Sequence, residues 1–202
     1  MRFDAALKRI FDLLIAGALL VLTAPIQLVV ALLIKRDLGS PVLFRQRRPG
    51  RHGQIFTLVK FRTMRDASPG EGVESDAYRL TRLGRTLRAT SLDELPSLMN
   101  VVRGDMSLVG PRPLLVEYLD RYTPEQARRH EVRPGITGLA QVAGRNAVDW
   151  EDRLRLDVEY VDRRTLMMDL RVLAATVLPV IGRRGVNAAG HETMHEFKGT
   201  NR

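Results

Sequence analysis

From Leu13 to Ile34 the chain carries no charge, and only Thr23 and Gln27 interrupt the apolar run. A straight helix over it would measure about 33 Å, enough for the hydrocarbon core of a bilayer. The segment is not expected to be a cleaved leader, because it is too long and Lys35-Arg36-Asp37 offers no small-residue cleavage site. Pro25 lies near its middle, where it removes a helix hydrogen bond and favours a kink. Both flanks are basic: Arg2, Lys8 and Arg9 before it, then Lys35, Arg36, Arg45, Arg47 and Arg48 after it. Basic flanks prefer the cytoplasmic face, so symmetry favours entry and exit on one side. The expectation is a re-entrant hairpin over residues 1–36, broken at Ala24-Pro25, packed as one unit with a cytoplasmic domain over 37–202. A straight span and a buried core helix are the alternatives.

The other 166 or so positions supply ordinary core material, since 45% of the whole chain is hydrophobic. A formal net charge of +9 suits anionic partners: nucleic acid, anionic lipid or phosphorylated substrates. One Trp and four Tyr leave few aromatic rings on which bases could stack, and no nucleic-acid recognition motif is present. The basic surface is therefore assigned to anionic membrane lipids and diphosphates, with no nucleic acid. The absence of Cys excludes disulfides and cysteine-based zinc sites.

Val42–Gln46 and Ile55–Phe61 read as strands of a small β-hairpin joined through Arg48–Gly53. Ala67–Gly72 reads as a loop. Tyr78–Ala89 reads as a helix with Arg79, Arg82, Arg85 and Arg88 along one face, either a solvated basic face or a phosphate-facing one. A further helix is predicted from about Pro124 to Glu131. Between Arg133 and Asn146 lies a glycine-rich stretch suited to close backbone approach to a phosphate or nucleotide. Leu166, Leu170, Leu173, Val177 and Val180 form an apolar stripe among Arg163, Arg164, Arg171, Arg183 and Arg184. It is either a core helix or one lying in the headgroup layer. The sum is an α+β fold, predominantly helical, with surface amphipathic helices.

Asp93-Glu94 has two readings. In the first, Ser91-x-x-Glu94 is a capping box, Asp93 complements the helix dipole, and Leu95, Leu98, Met99 and Val102 are buried. In the second, an ionised carboxylate in a first helical turn attacks phosphorus or holds a divalent cation. Adjacent helical positions diverge by about 100°, so the two acids can do different work. That chemistry needs positive charge nearby, from Arg88, Arg112, Arg133, Arg145 or Mg²⁺.

Four separated stretches then become specific. Lys60-Phe-Arg-Thr-Met64, Ser91-Leu-Asp-Glu-Leu-Pro96, Asn100-Val-Val-Arg-Gly-Asp-Met-Ser-Leu-Val-Gly-Pro-Arg-Pro113 and Arg133-Pro-Gly-Ile-Thr-Gly-Leu-Ala-Gln-Val142 together resemble the bacterial sugar transferase family. Within it, the compact size, Pro113-Leu-Leu-Val-Glu-Tyr118 and the ending Glu196-Phe-Lys-Gly-Thr-Asn201 are most similar to the small monotopic polyprenyl-phosphate phosphoglycosyl transferases of the PglC type. The resemblance implies a re-entrant membrane helix on the cytoplasmic face of the bacterial inner membrane and Mg²⁺-dependent chemistry. It makes Asp93 the nucleophile toward a UDP-sugar, with UMP released and undecaprenyl phosphate as acceptor. It places Asp93 also near Mg²⁺, gives Glu94 proton or metal handling, and puts Arg88, Arg112 and Lys60 on phosphates. Gln141 and Arg145 fall in the stretch assigned to the nucleotide-sugar. It further suggests an N-acetylated donor such as UDP-diacetylbacillosamine and a role in protein glycosylation. One departure stands out: family members often carry Ser before the helix-breaking proline, where this chain has Ala24-Pro25.

Two other functions compete. His191-Glu-Thr-Met-His195 matches the H-E-x-x-H zinc protease pattern, but it follows Ala188-Ala-Gly190 and leaves only a short tail for a third ligand. A basic membrane scaffold, or a nucleic-acid-binding protein, would leave the acid pair expendable.

Overall fold

The long apolar segment forms a single helix, α1 (Ala5–Leu38), with Pro25 inside it. A computed structural model describes residues 5–66, 76–144, 148–182 and 196–199. Pro25 leaves the Val21 carbonyl without its usual helical donor. The Thr23 hydroxyl does not take that carbonyl; it donates to Leu19 O at 2.6 Å and accepts from the Gln27 amide at 3.0 Å. Helix α1 is fastened at both ends to one body. Near its start Lys8, Asp12 and Ala16 are buried, and Arg9 donates to the carbonyls of Val101 and Val102 at 2.6 and 2.9 Å. Near its end Val30 and Ile34 pack on Phe61 and Leu87. Between these anchors Leu14, Val21, Leu22, Leu28, Val29 and Leu32 are each more than half exposed. Apolar surface on that scale needs a non-aqueous neighbour, so the protein is membrane-associated.

The hairpin forms where the strand-forming residues and the turn signals between them place it. Strand β1 (Leu43–Pro49) runs antiparallel to β2 (Ile55–Phe61), with Leu43 opposite Phe61 and Pro49 opposite Ile55. The first strand therefore extends past Gln46 and shortens the expected connection to one tight turn over Arg51–Gly53, where His52 and Gly53 have φ of 55° and 73°. The far edge of β2 is closed by side chains instead of a third strand. Asn100, fully buried, accepts from Val59 N–H at 3.1 Å and donates to Thr57 O at 2.8 Å. Ser97 donates to Val59 O at 2.8 Å. Asn100→Ala orphans two backbone groups at once and is expected to lower stability by about 2–3 kcal/mol, read as a drop in the urea midpoint.

Asn100 and Ser97 belong to the segment around α4 (Leu98–Arg103), which packs against α1 and leads into β3 (Ser107–Val109). Strand β3 pairs in parallel with β4 (Gly135–Thr137). The backbones touch here: a Cβ on Gly135 would lie 2.1 Å from Gly110 N. Leu58, Leu98, Val101, Met106, Leu108, Val109, Tyr160 and Val172 make the main core with Ala16. Tyr160 comes from α7 (Trp150–Arg163), which Asp149 caps by accepting Asp152 N–H at 2.8 Å; Val172 comes from α8 (Leu166–Gly182).

Several local expectations are corrected. The arginine-bearing helix breaks into α2 (Asp76–Arg79) and α3 (Arg82–Ala89), because Leu80 bridges to Met64 and Thr81 caps α3. The helix from Pro124 is short, α5 (Pro124–Ala127), and tightens to a 3₁₀ turn over Arg128–Glu131. In α8, Leu170 is exposed while Val172 and Asp169 point inward. Asp169 is drawn in by charge: Lys8 Nζ sits 2.8 Å from Asp12 and 2.9 Å from Asp169, and Tyr160 OH donates to Asp169 at 2.8 Å. This buried ionic knot ties α1 to α7 and α8. The loop near Ala67–Gly72 and the His191–His195 motif lie outside the described residues.

Candidate active site

The acid pair sits in a 3₁₀ turn, Leu92–Ser97, directly ahead of α4. The capping-box expectation does not hold. Ser91 has φ of 56°, in the left-handed region, and its hydroxyl makes no cap bond. Glu94 is held elsewhere by stronger partners, since two cations outcompete a backbone N–H. Of the apolar face expected behind the pair, Leu98 is buried but Met99 is exposed, and Val101 takes the inward position.

Glu94 Oε1 accepts from Lys60 Nζ at 2.5 Å and from Arg112 Nη2 at 3.0 Å. Burial alone would raise the Glu94 pKa, but Lys60 and Arg112 overcome it and hold it down at about 2. Burial also pulls the Lys60 pKa down, against the attraction of Glu94. Asp93 is a contrasting neighbour. It is only 9% exposed, and no hydrogen bond or ion pair reaches its carboxylate among the described residues. Burial and the adjacent Glu94 charge push its pKa up to about 6, with Lys60, Arg88 and Arg112 pulling the other way. One carboxylate is thus locked and charged, while the other is unencumbered and poised.

Each cation has a local cause. Lys60 follows Val59, the residue gripped by Ser97 and Asn100. Arg88 is brought in because α3 lies on the chain after β2: a Cβ on Gly84 would sit 2.0 Å from Thr63 O. Arg88 then donates to Thr63 Oγ1 at 3.1 Å and to the Met64 sulfur at 3.2 Å. Arg112 stands between Pro111 and Pro113.

The remaining expected site residues do not join this cluster. Arg133 donates to Gly104 O at 2.8 Å at the end of α4, with Arg9 and Arg51 as electrostatic neighbours. Its role in the structure is therefore a helix C-cap, since the last carbonyls of α4 attract cations. Gln141, on α6 (Leu139–Gly144), has both amide atoms buried without a partner, beside Gly138 and Gly110. Arg145 lies outside the described residues. Ala24, beside Pro25, lines an open groove of about 460 Å³ with Leu20, Val21, Gln27 and Met99. Because Met99 is the second residue of α4, the groove opens next to the acid-bearing turn.

No cluster of three or more metal-ligating side chains exists among the described residues. The donor set still fits Mg²⁺, which binds through one or two carboxylates and fills its sphere with phosphate oxygens and water. Asp93 is the carboxylate available for it, as Glu94 is occupied by Lys60 and Arg112.

Comparison with known proteins gives the class of enzyme directly. Residues 3–183 match the family described as bacterial sugar transferase, and the chain belongs to that family of enzymes. It is 51% identical over 195 residues to an uncharacterized sugar transferase, EpsL, of Bacillus subtilis, covering 96% of each chain. It is 44% identical over 181 residues to the UDP-glucose:undecaprenyl-phosphate glucose-1-phosphate transferase of Caulobacter vibrioides, covering 84% of this chain and 68% of that one. It is also 39% identical to the undecaprenyl-phosphate galactose phosphotransferase of Salmonella typhimurium, covering 91% of this chain and 42% of that one.

Sequence reasoning missed the supports of the site. Ser97 and Asn100 sit inside recognisable motifs but read as ordinary helix residues, and Arg129 reads as surface charge beside Arg128. Only the buried positions of Ser97, Asn100 and Arg129 reveal their use.

Proposed function

We propose that this protein transfers a sugar-1-phosphate from a UDP-sugar to undecaprenyl phosphate through a phosphosugar ester on Asp93, the first membrane step of glycoconjugate assembly. The observation that carries the reading is the unpartnered Asp93 carboxylate beside a Glu94 pinned by Lys60 and Arg112. In the first step an Asp93 oxygen forms a bond to the β-phosphorus, the bond from that phosphorus to the bridging oxygen breaks, and UMP leaves with the electron pair. In the second, an oxygen of the lipid phosphate attacks the same phosphorus and frees the Asp93 carboxylate. Arg88, Lys60 and Arg112 supply fixed positive charge for the phosphoryl oxygens. Glu94, already ionised and bound by Lys60 and Arg112, holds those two cations in place; with a pKa of about 2 it is too weak a base to carry protons near neutral pH. A Mg²⁺ ion held by Asp93 would neutralise diphosphate charge.

The fastening of α1 at Lys8–Asp12 and again at Val30–Ile34 supports a helix that enters and leaves on one face, since a straight span would carry one end away from the domain. The protein is then monotopic on the cytoplasmic leaflet of the inner membrane. The groove at Ala24 and Met99 is mostly apolar and suits the isoprenoid part of the acceptor. Anionic lipids suit the basic flanks of α1.

The test is a screen of UDP-glucose, UDP-galactose and UDP-N-acetylated sugars, including UDP-diacetylbacillosamine, with undecaprenyl phosphate, following UMP. Relatives named for glucose and galactose widen the donor class beyond N-acetylated sugars. No UMP from any donor, with folded protein and Mg²⁺ present, would remove the reading. The pH dependence provides a second check. Asp93 attacks only when ionised and its pKa is about 6, so kcat/KM for the donor rises as pH climbs through that value. Lys60→Met removes a charge that lowers this pKa, so the rising limb moves to higher pH.

A further inference from the structure

The Pro111-Arg112-Pro113 segment is held with unusual completeness. Prolines carry no N–H, so the tripeptide offers one backbone donor and three acceptors. Each acceptor is taken by a separate group. Gly135 N–H reaches Pro111 O at 2.9 Å, Arg129 Nη2 reaches Arg112 O at 2.7 Å, and Arg48 Nη1 reaches Pro113 O at 3.4 Å. Proline on the C-terminal side also holds Arg112 away from the helical region. What remains free is the tilt of the peptide plane after Arg112, and the Arg129 bond sets it.

Arg129 is itself fixed on every side. Its residue is 2% exposed, and its Nε and Nη2 both donate to Asp157 Oδ2, at 3.1 and 2.7 Å. Its Nη1 donates to Tyr122 OH at 3.3 Å. Asp157 is buried on α7, a helix that contributes no side chain to the acid pair. A buried ion pair of this kind adds little net stability over an apolar pair of the same volume. Its geometric product is a carbonyl held in place two bonds from the Cα that carries the Arg112 side chain.

Resting on the transferase reading above, we infer that Arg129, braced by Asp157, is a positioning residue that aims the Arg112 guanidinium at Glu94. Neither residue touches the acids or, in this reading, the substrate. Both act through Arg112, which Arg129 reaches by one hydrogen bond to its carbonyl.

The experiment replaces the pair together, Arg129→Met with Asp157→Leu, which removes the brace and both charges of the pair at once. Full-length protein is purified in detergent, its melting temperature is measured, and UMP release is followed with whichever screened UDP-sugar turns over best. The expected result is a melting temperature within a few degrees of wild type and a fall of about 100-fold, mostly in kcat, as for a catalytic group displaced by about 1 Å. In an Arg112→Lys background the same double change should cost less than about 3-fold, because the group it positions is already altered. Equal losses in both backgrounds would show that Arg129 acts independently of Arg112 and overturn the inference, as would wild-type kcat in a folded double variant. If the double variant does not fold, Arg129→Lys keeps the charge pair with fewer donors. A reduced kcat at unchanged melting temperature then supports the inference, and wild-type kcat overturns it. Wild-type enzyme that releases no UMP would instead refute the transferase reading, a separate outcome.

Discussion

Asp93→Asn yields a protein that releases no UMP from a UDP-sugar yet melts at a higher temperature than wild type near pH 8. The loss follows because an amide nitrogen is no nucleophile and cannot leave from phosphorus in the second step. A fall of about 10⁴-fold or more is expected, the scale seen when a covalent nucleophile is removed. The stabilisation follows from linkage. The folded-state pKa of Asp93 is raised to about 6 from its ordinary value of 3.8. Folding therefore favours its protonated form, a contribution fully present below pH 3.8 and lost as pH rises through 6. At pH 8 the ionised wild-type side chain weighs against folding by about 3 kcal/mol, from a shift of roughly two units. Asparagine removes that cost, and its advantage shrinks as pH falls below 6. Melting curves in EDTA at pH 8 and pH 5 check the sign. An active Asp93→Asn enzyme, or one less stable at pH 8, would contradict the assignment of a poised and destabilising acid.

Glu94→Gln has the opposite signature in stability. The folded-state pKa of Glu94 is lowered to about 2 from 4.5, so its contribution is present above pH 4.5 and lost as pH falls through 2. Neutralising it leaves Lys60 and Arg112 together in a largely buried site without their shared counter-charge. Breaking a buried pair in this way is expected to cost about 3 kcal/mol at neutral pH. Turnover should fall by about 10²–10³-fold, because the cations that Glu94 holds are loosened from the phosphoryl oxygens. The two neighbouring substitutions thus shift melting temperature in opposite directions while both suppress activity. Parallel shifts would show that the acids share one environment and do not divide the work.

The parts of the fold visible in the sequence were those set by local pattern. The uncharged stretch around Pro25 pointed to a long apolar helix, though not to its continuity through the proline, and Ile55–Phe61 pointed to a strand. The acid pair stood out as adjacent carboxylates, while Arg88 and Arg112 were two of four candidate arginines and Lys60 entered only through the family resemblance. What could not be read was long-range. Ser91-x-x-Glu94 satisfies every local rule for a capping box, yet Lys60, 34 positions earlier, captures Glu94. Arg133 carries the same charge as Arg112 and lies in an equally suggestive motif, but tertiary packing sends it to Gly104. Leu170 fits the apolar stripe of α8 by spacing, yet the burial of Asp169 by Lys8 rotates that face outward. For Glu94 and Asp169 an ion pair across the chain overrode a local preference, and for Arg133 a distant backbone carbonyl did.

The double fastening of α1 also fixes a height. With Lys8 and Asp12 clamped at one end and Val30 and Ile34 at the other, the oily flank of the helix has no freedom to sink or rise relative to the acid-bearing turn. In the proposed monotopic arrangement the protein would work like a float with a set waterline. A long-chain acceptor would find the turn by sliding sideways within its own leaflet, and only the water-soluble donor would have to travel through the third dimension.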